Sequence, residues 1–350
     1  MSDLNLKDEH WMAIALSEAK QGIGLTAPNP AVGAVIVKNE VEISRGWHQK
    51  AGCHHAERDA LSKLETGEAE GAAIYVTLEP CSTKGKTGAC TDAIIEAGIT
   101  RVVYATSDPN PAHAGNADQV LKAAGIETQS GIFEEECSDL IRGFAKVLTD
   151  GRPWVIAKTA MSLDGKITRP PGEGQWLTSP ESREEVQLLR AEVDAIITSG
   201  ATVRKDDPSL TLRSSAISPC KEQQLRVILT RSEIDQSIYQ IFNDGHPTQV
   251  FQNIPISEVL QALATEGKNT VLLESGGDLM GAFLDEGLID EFVIYYAPLV
   301  TGGSSQAIGG EGAYSLSERL SLKNSVLKKI GPDLCLRGIV DRNGPPPLNR

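Results

Sequence analysis

Residues 72–106 read AAIYVTLEPCSTKGKTGACTDAIIEAGITRVVYAT, and this stretch decides the fold of the first half of the chain. The apolar run at 72–78 predicts a buried strand, 90–97 predicts a helix, and RVVYAT predicts a second strand. A strand, a helix and another strand in succession favour an α/β layer with a parallel or mixed sheet. In this arrangement Cys81 follows the first strand and Cys90 begins the helix.

The same alternation extends in both directions. Before and after this stretch we expect helices at 8–21, 56–64 and 117–124 and a strand at 31–37. The polar segment TDGRP at 149–153 interrupts the pattern, which then restarts with strands at 154–161, 194–199, 226–230, 270–275 and 291–297. We therefore predict two α/β domains, at 1–148 and 149–350, with a surface loop at 214–224 and a proline-rich tail at 341–350.

Composition excludes several classes of protein. Hydrophobic residues make up 40% and charged residues 23% of the 350, as in ordinary globular proteins. No apolar run approaches the ~18 residues of a membrane span, and the polar start MSDLNLKDEH lacks a signal-peptide core, so we expect a cytoplasmic protein without a membrane partner. The net charge of −14 opposes binding to nucleic acid, although local Arg and Lys residues could still bind a small phosphate.

Two short segments, CHHAERDAL at 53–61 and TLEPCSTKGKTGAC at 77–90, carry the pattern of a catalytic zinc site. Such a site needs three His or Cys ligands and an open position for water, whose pKa the metal lowers toward ~7. In zinc deaminases the pattern is H-x-E followed by P-C and a further Cys. We therefore predict His55, Cys81 and Cys90 as ligands and Glu57 as the proton shuttle.

Alternatives to this zinc assignment remain open. His54 is a rival ligand, but only His55 has the required spacing to Glu57. A non-catalytic zinc module would normally have four protein ligands, and a nucleic-acid deaminase conflicts with the charge. We interpret the remaining thiols Cys137, Cys220 and Cys335 as reduced, buried cysteines.

Eight motifs occur along nearly the whole length of the chain. They are PNPAVGAVIV (28–37), GWHQKAGCHHAE (46–57), TLEPCSTKGKTGAC (77–90), DPNP (108–111), KTAMSLDGKI (158–167), GQWLTS (174–179), ATVRKDDPSLTLR (201–213) and LLESGGDLMGAFL (272–284). In these motifs and in their order, the chain resembles the bifunctional riboflavin-biosynthesis family of the RibD type.

The resemblance implies a three-layer, cytidine-deaminase-like N-terminal domain joined to a dihydrofolate-reductase-like C-terminal domain. The first would use zinc to convert a diaminopyrimidinone ribosylamine phosphate to the aminouracil. The second would use NADPH to reduce the ribosyl chain to ribityl, and the family suggests a homodimer formed through the reductase domains. A phosphorylated pyrimidine is then the expected partner molecule.

The resemblance also implies residue roles in the second domain. Lys158 is a candidate for polarising the sugar carbon, with a solvated lysine as the alternative. Arg190 and Arg213 would bind a phosphate through their guanidinium groups, with an ordinary ion pair as the alternative. The implied NADPH contacts are Ala160, Trp176, Thr202, Asp206, Gly276, Gly277, Asp278, Leu279, Met280, Gly281 and Ala282. The implied substrate contacts are Gly174, Arg190, Leu210, Arg213 and Glu274.

At several positions the chain departs from the family pattern. Thr83 and Asp59 stand where the family often has histidines that hold the phosphorylated substrate, and Gly88-Ala89 replaces a usual Pro-Pro. Gly174 and Thr230 replace a common Ser and Asp in the second domain. Asp59 would repel a phosphate, while Arg58 and two loop lysines could supply charge instead. A different aminopyrimidine or purine-derived phosphate is therefore the alternative substrate.

Overall fold

The computed structural model describes residues 3–83, 88–111, 113–167, 176–313 and 319–342. The chain divides into two compact units, Met1–Gly151 and Arg152–Arg350, and the division falls inside the TDGRP segment. Each unit has its own sheet. The predicted tail at 341–350 lies outside the described residues from 343 onward.

The first unit is built on a five-stranded mixed sheet of order β2-β1-β3-β4-β5. Strand β1 is antiparallel to β2 and β3, whereas β3, β4 and β5 run parallel. Its elements are α1 (Asp3–Lys20), β1 (Gly33–Lys38), β2 (Val41–Trp47), α2 (Ala56–Leu61), β3 (Ala73–Leu78), α3 (Cys90–Glu96), β4 (Arg101–Thr106), α4 (Asn116–Ala123), β5 (Glu127–Ser130), α5 (Glu134–Leu140) and α6 (Arg142–Asp150).

The side chains of the central strands alternate between two apolar cores, which makes this unit three-layered. Ile74 and Val76 point into a core shared with α2, α3 and α4, while Tyr75 points into a core shared with α1 and α5. Helix α1 lies directly on β1, because a Cβ on Gly33 would stand 2.1 Å from the Ala15 carbonyl oxygen. Only glycine permits so close an approach.

Helix α2 is shorter than the sequence predicts. It ends at Leu61 instead of Leu64. The Ser62 hydroxyl donates to the Asp59 carbonyl, and the Lys63 N–H reaches the Ala60 carbonyl three residues back. These bonds tighten the chain into turns, so the helix stops there.

The second unit is built on an eight-stranded sheet of order β12-β13-β11-β6-β10-β7-β8-β9. All strands from β11 to β9 run parallel, and β13 and β12 extend the sheet in antiparallel fashion. The elements are β6 (Trp154–Ser162), α7 (Pro180–Ala191), β7 (Ala195–Ser199), α8 (Gly200–Asp206), β8 (Leu225–Thr230), α9 (Gln240–Asn243), β9 (Thr248–Gln252), α10 (Ile256–Thr265), β10 (Thr270–Glu274), α11 (Gly277–Asp285), β11 (Glu291–Ala297), β12 (Ser321–Ile330) and β13 (Asp333–Asp341).

Helices cover both faces of the parallel part of this sheet. Residues of α10 and α11 join one core and residues of α7 and α8 join the other. In parallel α/β sheets, ligands bind outside the carboxyl ends of the strands. Among the described residues, no helix is long and apolar enough to cross a membrane.

The three thiols away from the zinc motif are all free, but only two of them are buried. Cys137 and Cys335 lie in apolar cores, as expected. The prediction for Cys220 is wrong, because its side chain is exposed. It lies in the polar loop at 214–224, which contributes no residue to the apolar cores.

Candidate active sites

Three ligand-type side chains of the first unit meet where two helices begin. His55 is the N-cap of α2, Cys90 is the first residue of α3, and Cys81 lies in the loop between β3 and α3. His55 Nδ1 is 3.4 Å from Cys90 Sγ and 3.6 Å from Cys81 Sγ, and all three atoms lie within 4.8 Å of one another. A tetrahedral zinc separates nitrogen and sulfur ligands by about 3.6 Å, so these residues fit the metal.

The surroundings of the two sulfurs favour the thiolate that binds metal. The Cys90 backbone N–H donates to Cys81 Sγ over 3.3 Å. A hydrogen bond from the Cys90 thiol lowers the pKa of Cys81 most, and His55 lowers it further against the opposing effect of burial. A thiolate is the form in which cysteine ligates zinc, so the site is electrostatically prepared for a cation.

Glu57 lies beside these three side chains but does not belong to the ligand group. It is the second residue of α2, and its side chain is buried with 3% exposure. Burial raises the pKa of Glu57, and the nearby Cys81 raises it further. Within the described part of the chain the ligand group has three members, whereas a structural zinc normally has four. A buried carboxyl group next to an incomplete ligand set is the arrangement that proton transfer to and from water requires.

A second buried carboxylate, Glu79, organises the loop that follows β4. Its Oε2 accepts the backbone N–H groups of Asp108 and Gly115 over 3.2 and 3.0 Å, and its Oε1 accepts that of Ala117 over 3.1 Å. Glu79 thereby ties the DPNP motif to the strand that leads to Cys81. The Asp108 carboxylate is close enough to Cys81 for the two to repel, which adds to the effect of burial in raising the pKa of Asp108.

The His48 ring packs against the ring of His55. The two rings meet edge to face with centroids 5.4 Å apart. His48 Nδ1 lies 2.9 Å from the His54 carbonyl oxygen, so this nitrogen carries the proton. The other ring nitrogen then accepts a hydrogen bond from the Asn29 amide over 3.0 Å. Asn29 and His48 belong to quoted motifs, but their pairing depends on the fold and was not predicted.

Asp59, which departs from the family pattern, and its neighbour Arg58 both have partners inside the protein. Asp59 forms an ion pair with Lys63 over 2.9 Å and accepts the Trp47 N–H, so its charge is compensated locally. The expected repulsion of a phosphate by Asp59 is therefore reduced. Arg58 donates to the Ala89 carbonyl over 2.7 Å and braces the loop before Cys90. The two loop lysines, Lys84 and Lys86, lie outside the described residues.

The second unit has a cleft of about 2180 Å³ along the carboxyl ends of its parallel strands. Most residues that the sequence predicts as cofactor or substrate contacts line it. They are Lys158, Ala160, Trp176, Arg190, Thr202, Asp206, Leu210, Arg213, Glu274, Gly276, Gly277, Asp278, Leu279 and Ala282. Met280 and Gly281 instead face the protein interior, and Gly174 lies outside the described residues.

A buried charge cluster lies in the middle of this cleft. Arg190 forms two hydrogen bonds to the Glu274 carboxylate, at 2.6 and 3.1 Å, and Lys158 Nζ is 3.3 Å from the same group. Burial would raise the pKa of Glu274, but the two cations outweigh it and lower the pKa to about 2. Because Arg190 is paired in this way, the ion-pair alternative is favoured for it. Arg213 is exposed and has no ion-pair partner among the described residues.

The cleft also fits an extended dinucleotide. Helix α11 begins at the carboxyl end of β10, and the N–H groups of its first turn have no partner within the helix. Such N–H groups bind the phosphates of nucleotides. Gly276, the N-cap, has open space where a side chain would stand.

Comparisons with known proteins agree with both sites. Residues 6–106 match the model for the cytidine and deoxycytidylate deaminase zinc-binding region, and residues 153–336 match the RibD C-terminal domain. RibD of Escherichia coli is 37% identical, with 95% of this chain and 99% of that protein covered. RibD of Aquifex aeolicus is 38% identical, with 94% and 97% covered.

Solved structures give the same result. Acinetobacter baumannii RibD superimposes with a TM-score of 0.89 at 37% identity, with 97% of this chain and 100% of that chain covered. The Thermotoga maritima diaminohydroxyphosphoribosylaminopyrimidine deaminase/5-amino-6-(5-phosphoribosylamino)uracil reductase gives 0.87 at 31% identity, with the same coverage.

The folds and sites define a two-domain enzyme in which a zinc-dependent deaminase precedes an NADPH-dependent reductase. The chain belongs to the RibD family of riboflavin-biosynthesis proteins. The family and fold class expected from the sequence motifs are therefore confirmed. The same holds for zinc and NADPH as the cofactors.

Proposed function

We propose that the first unit hydrolyses 2,5-diamino-6-(5-phosphoribosylamino)pyrimidin-4(3H)-one to the aminouracil and ammonia. The second unit then reduces the ribosyl side chain of 5-amino-6-(5-phosphoribosylamino)uracil to ribityl with NADPH. The observation that carries the proposal is the set of three ligand atoms within 4.8 Å of one another beside the buried Glu57. We assign the two activities to residues 1–148 and 149–350.

In the deaminase, His55, Cys81 and Cys90 hold the zinc, which when bound makes water a nucleophile at neutral pH. Glu57 accepts a proton from the attacking water and delivers it to the amino group that leaves as ammonia. Burial raises the pKa of Glu57, which makes its carboxylate a stronger proton acceptor than an exposed one. Glu79 holds the Asp108 loop beside the site.

In the reductase, NADPH supplies the hydride when bound. Lys158 donates a hydrogen bond to the sugar and polarises the carbon that accepts the hydride. Glu274 holds Lys158 in place, and Arg190 neutralises Glu274 from the other side. The exposed Arg213 binds the substrate phosphate, with Leu210 beside it in the cleft.

We further propose a homodimer that acts in the cytoplasm on small phosphorylated pyrimidines and binds neither nucleic acid nor membranes. The edge strand β12 supports the dimer, because Val326 and Leu327 on it are 62% and 63% exposed. Apolar side chains on an unpaired edge strand favour pairing with another chain. Sedimentation equilibrium measures the oligomeric state directly.

A coupled assay tests the function. The purified, zinc-loaded protein is mixed with NADPH and the diaminopyrimidinone ribosylamine phosphate, and ammonia release and NADPH oxidation are followed together. We expect one ammonia and one NADPH per substrate molecule. The proposed substrate is wrong if the folded, zinc-containing protein catalyses neither step with it but deaminates another aminopyrimidine or purine-derived phosphate.

A further inference from the structure

We propose that Gln187 and Gln223 are positioning residues of the reductase, which hold the segment 207–213 so that Arg213 meets the phosphate of the substrate. The inference rests on the proposed reductase function of the second unit, in which Arg213 binds that phosphate. None of the contacts discussed above assigns a role to either glutamine. Both lie outside the segment, Gln187 on α7 and Gln223 in the loop that precedes β8.

The segment 207–213 has a backbone conformation that its own residues do not favour. Asp207 and Leu210 have positive φ angles of 39° and 51°. Residues with a side chain rarely adopt such angles, and the conformation persists only where the surroundings hold it. The segment belongs to no helix or strand, so the hydrogen bonds that hold its backbone come from other parts of the chain.

A buried arginine holds the first part of the segment. Arg226 on β8 is only 1% exposed, and its Nη1 donates to the Ser209 carbonyl over 2.7 Å. The same guanidinium donates to both oxygens of the Asp244 carboxylate, at 2.6 and 2.7 Å, which fixes its orientation. Ser209 is thereby anchored next to Leu210, and both line the cleft.

Helix α7 holds two residues of the second part. Gln187 and Arg190 are three positions apart, so they lie on the same face of this helix. Gln187 Oε1 accepts the Arg213 N–H over 2.8 Å, and Arg190 Nη1 donates to the Thr211 carbonyl over 3.3 Å. Gln187 is buried, so its hydrogen bond to Arg213 is shielded from water and strengthened by that shielding.

Gln223 holds the residue between these two. Its Oε1 accepts the Leu212 N–H over 2.7 Å and its Nε2 donates to the Leu212 carbonyl over 3.1 Å, as a residue of a neighbouring strand would. With the backbone held at Leu212 and at Arg213, the exposed Arg213 side chain enters the cleft from a fixed point. Binding of a phosphate is then not opposed by the entropy of ordering this segment.

Steady-state kinetics of the full-length, zinc-loaded protein with NADPH and 5-amino-6-(5-phosphoribosylamino)uracil test the proposal. Gln187→Leu and Gln223→Leu keep a side chain of similar size but remove the hydrogen bonds to the segment. We expect each to raise the KM for this substrate about five- to tenfold. The value of kcat and the KM for NADPH should stay within about twofold, because only uniform binding of the phosphate is lost. Gln261→Leu, at an exposed position of α10, is the matched control and should resemble the wild type.

A double-mutant cycle with Arg213→Ala gives a readout that a purely structural role would not produce. If the glutamines act through Arg213, neither substitution should raise the KM by more than about twofold once Arg213 is absent. A similar rise in both backgrounds overturns the inference, because the glutamines then act on something other than Arg213. Unchanged KM values in the two single variants overturn it as well.

The outcomes separate this inference from the proposed function. In each of those cases the wild type still oxidises NADPH with the aminouracil phosphate, so the proposed reductase survives. A wild type that does not oxidise NADPH with this substrate overturns both. Unfolding temperatures show which variants are folded. Gln223 is only half-buried, so Gln223→Leu decides the question even if the buried Gln187→Leu fails to fold.

Discussion

Substitution of Glu57 should reduce deamination without affecting zinc binding. Glu57→Gln keeps the size and burial of the side chain but removes its proton-accepting carboxylate. Because general acid–base catalysis contributes about 10²–10⁴-fold, we expect ammonia release to fall at least about 100-fold. Zinc content should not change, since the three ligand atoms are untouched.

Metal analysis and ammonia release on the same sample measure the two quantities. The exposed Glu65→Gln, from the turn after α2, is the control and should resemble the wild type in both. Unchanged deamination by Glu57→Gln would show that another group moves the proton. Loss of zinc from this variant would show that Glu57 acts on the metal.

Glu274 should make the stability of the second unit depend on pH. Its pKa is lowered to about 2 from an ordinary value of 4.5, so its ionised form stabilises the fold above pH 4.5. This stabilisation is lost as pH falls from about 4.5 to about 2. A shift of this size corresponds to about 3 kcal/mol.

Calorimetric unfolding between pH 7 and 2.5 measures this dependence. We expect Glu274→Gln to be less stable than the wild type at pH 7, with a difference that narrows below pH 4.5. The control is Glu258→Gln, an exposed position on α10, which should follow the wild type throughout. Parallel curves for the wild type and Glu274→Gln would mean that the ion cluster does not stabilise the fold.

At the scale of whole elements, the loop after β4 should depend on Glu79. Its carboxylate accepts three backbone N–H groups, at Asp108, Gly115 and Ala117. In Glu79→Gln one acceptor oxygen becomes an NH₂ donor that faces those N–H groups. Because a hydrogen bond to a charged group contributes about 1.5–3 kcal/mol, these amides should exchange hydrogen about 10- to 100-fold faster.

A kinetic measurement distinguishes positioning from a purely structural role. If the loop helps hold the substrate, Glu79→Gln should raise the deaminase KM more than it lowers kcat, with zinc retained. Glu96→Gln, exposed on α3, is the control. Faster exchange with an unchanged KM would restrict Glu79 to stabilising the loop.

The elements show which parts of the fold sequence patterns predict. Strands such as Arg101–Thr106 were predicted at their observed bounds, because buried parallel strands are continuous apolar runs. Strand β2 was missed, since Val41–Trp47 is a half-exposed edge strand with mixed polarity. Strand β12 was missed for the same reason, as most of its ten residues are exposed.

In the candidate sites, too, local motifs predict some residues, whereas other contacts form only in the fold. The cysteine and H-x-E motifs are local, so the sequence could predict the ligand group and Glu57. The Arg190–Glu274 pair joins residues 84 positions apart, and the three hydrogen bonds of Glu79 reach across 29 to 38 positions. Contacts of this kind depend on how strands are ordered in the sheet, which no local pattern contains.

On the scale of the whole molecule, the two units should respond separately to loss of zinc. All three ligand atoms lie in residues 1–151, and the second unit has its own sheet and apolar cores. Treatment with a chelator should therefore abolish ammonia release and lower the unfolding temperature of the first unit. NADPH oxidation with the aminouracil phosphate as substrate should stay within about twofold of the untreated enzyme, because that reaction uses no metal.

Both reactions are measured on one chelated sample, before and after zinc is restored. Cys81→Ser, which removes a ligand without a chelator, should reproduce the chelated state and should not recover when zinc is added. Cys220→Ser, an exposed thiol of the second unit, is the matched control and should retain both activities. If NADPH oxidation disappears together with ammonia release and returns with zinc, the metal supports both units, and the independence of the two units inferred from their separate cores is wrong.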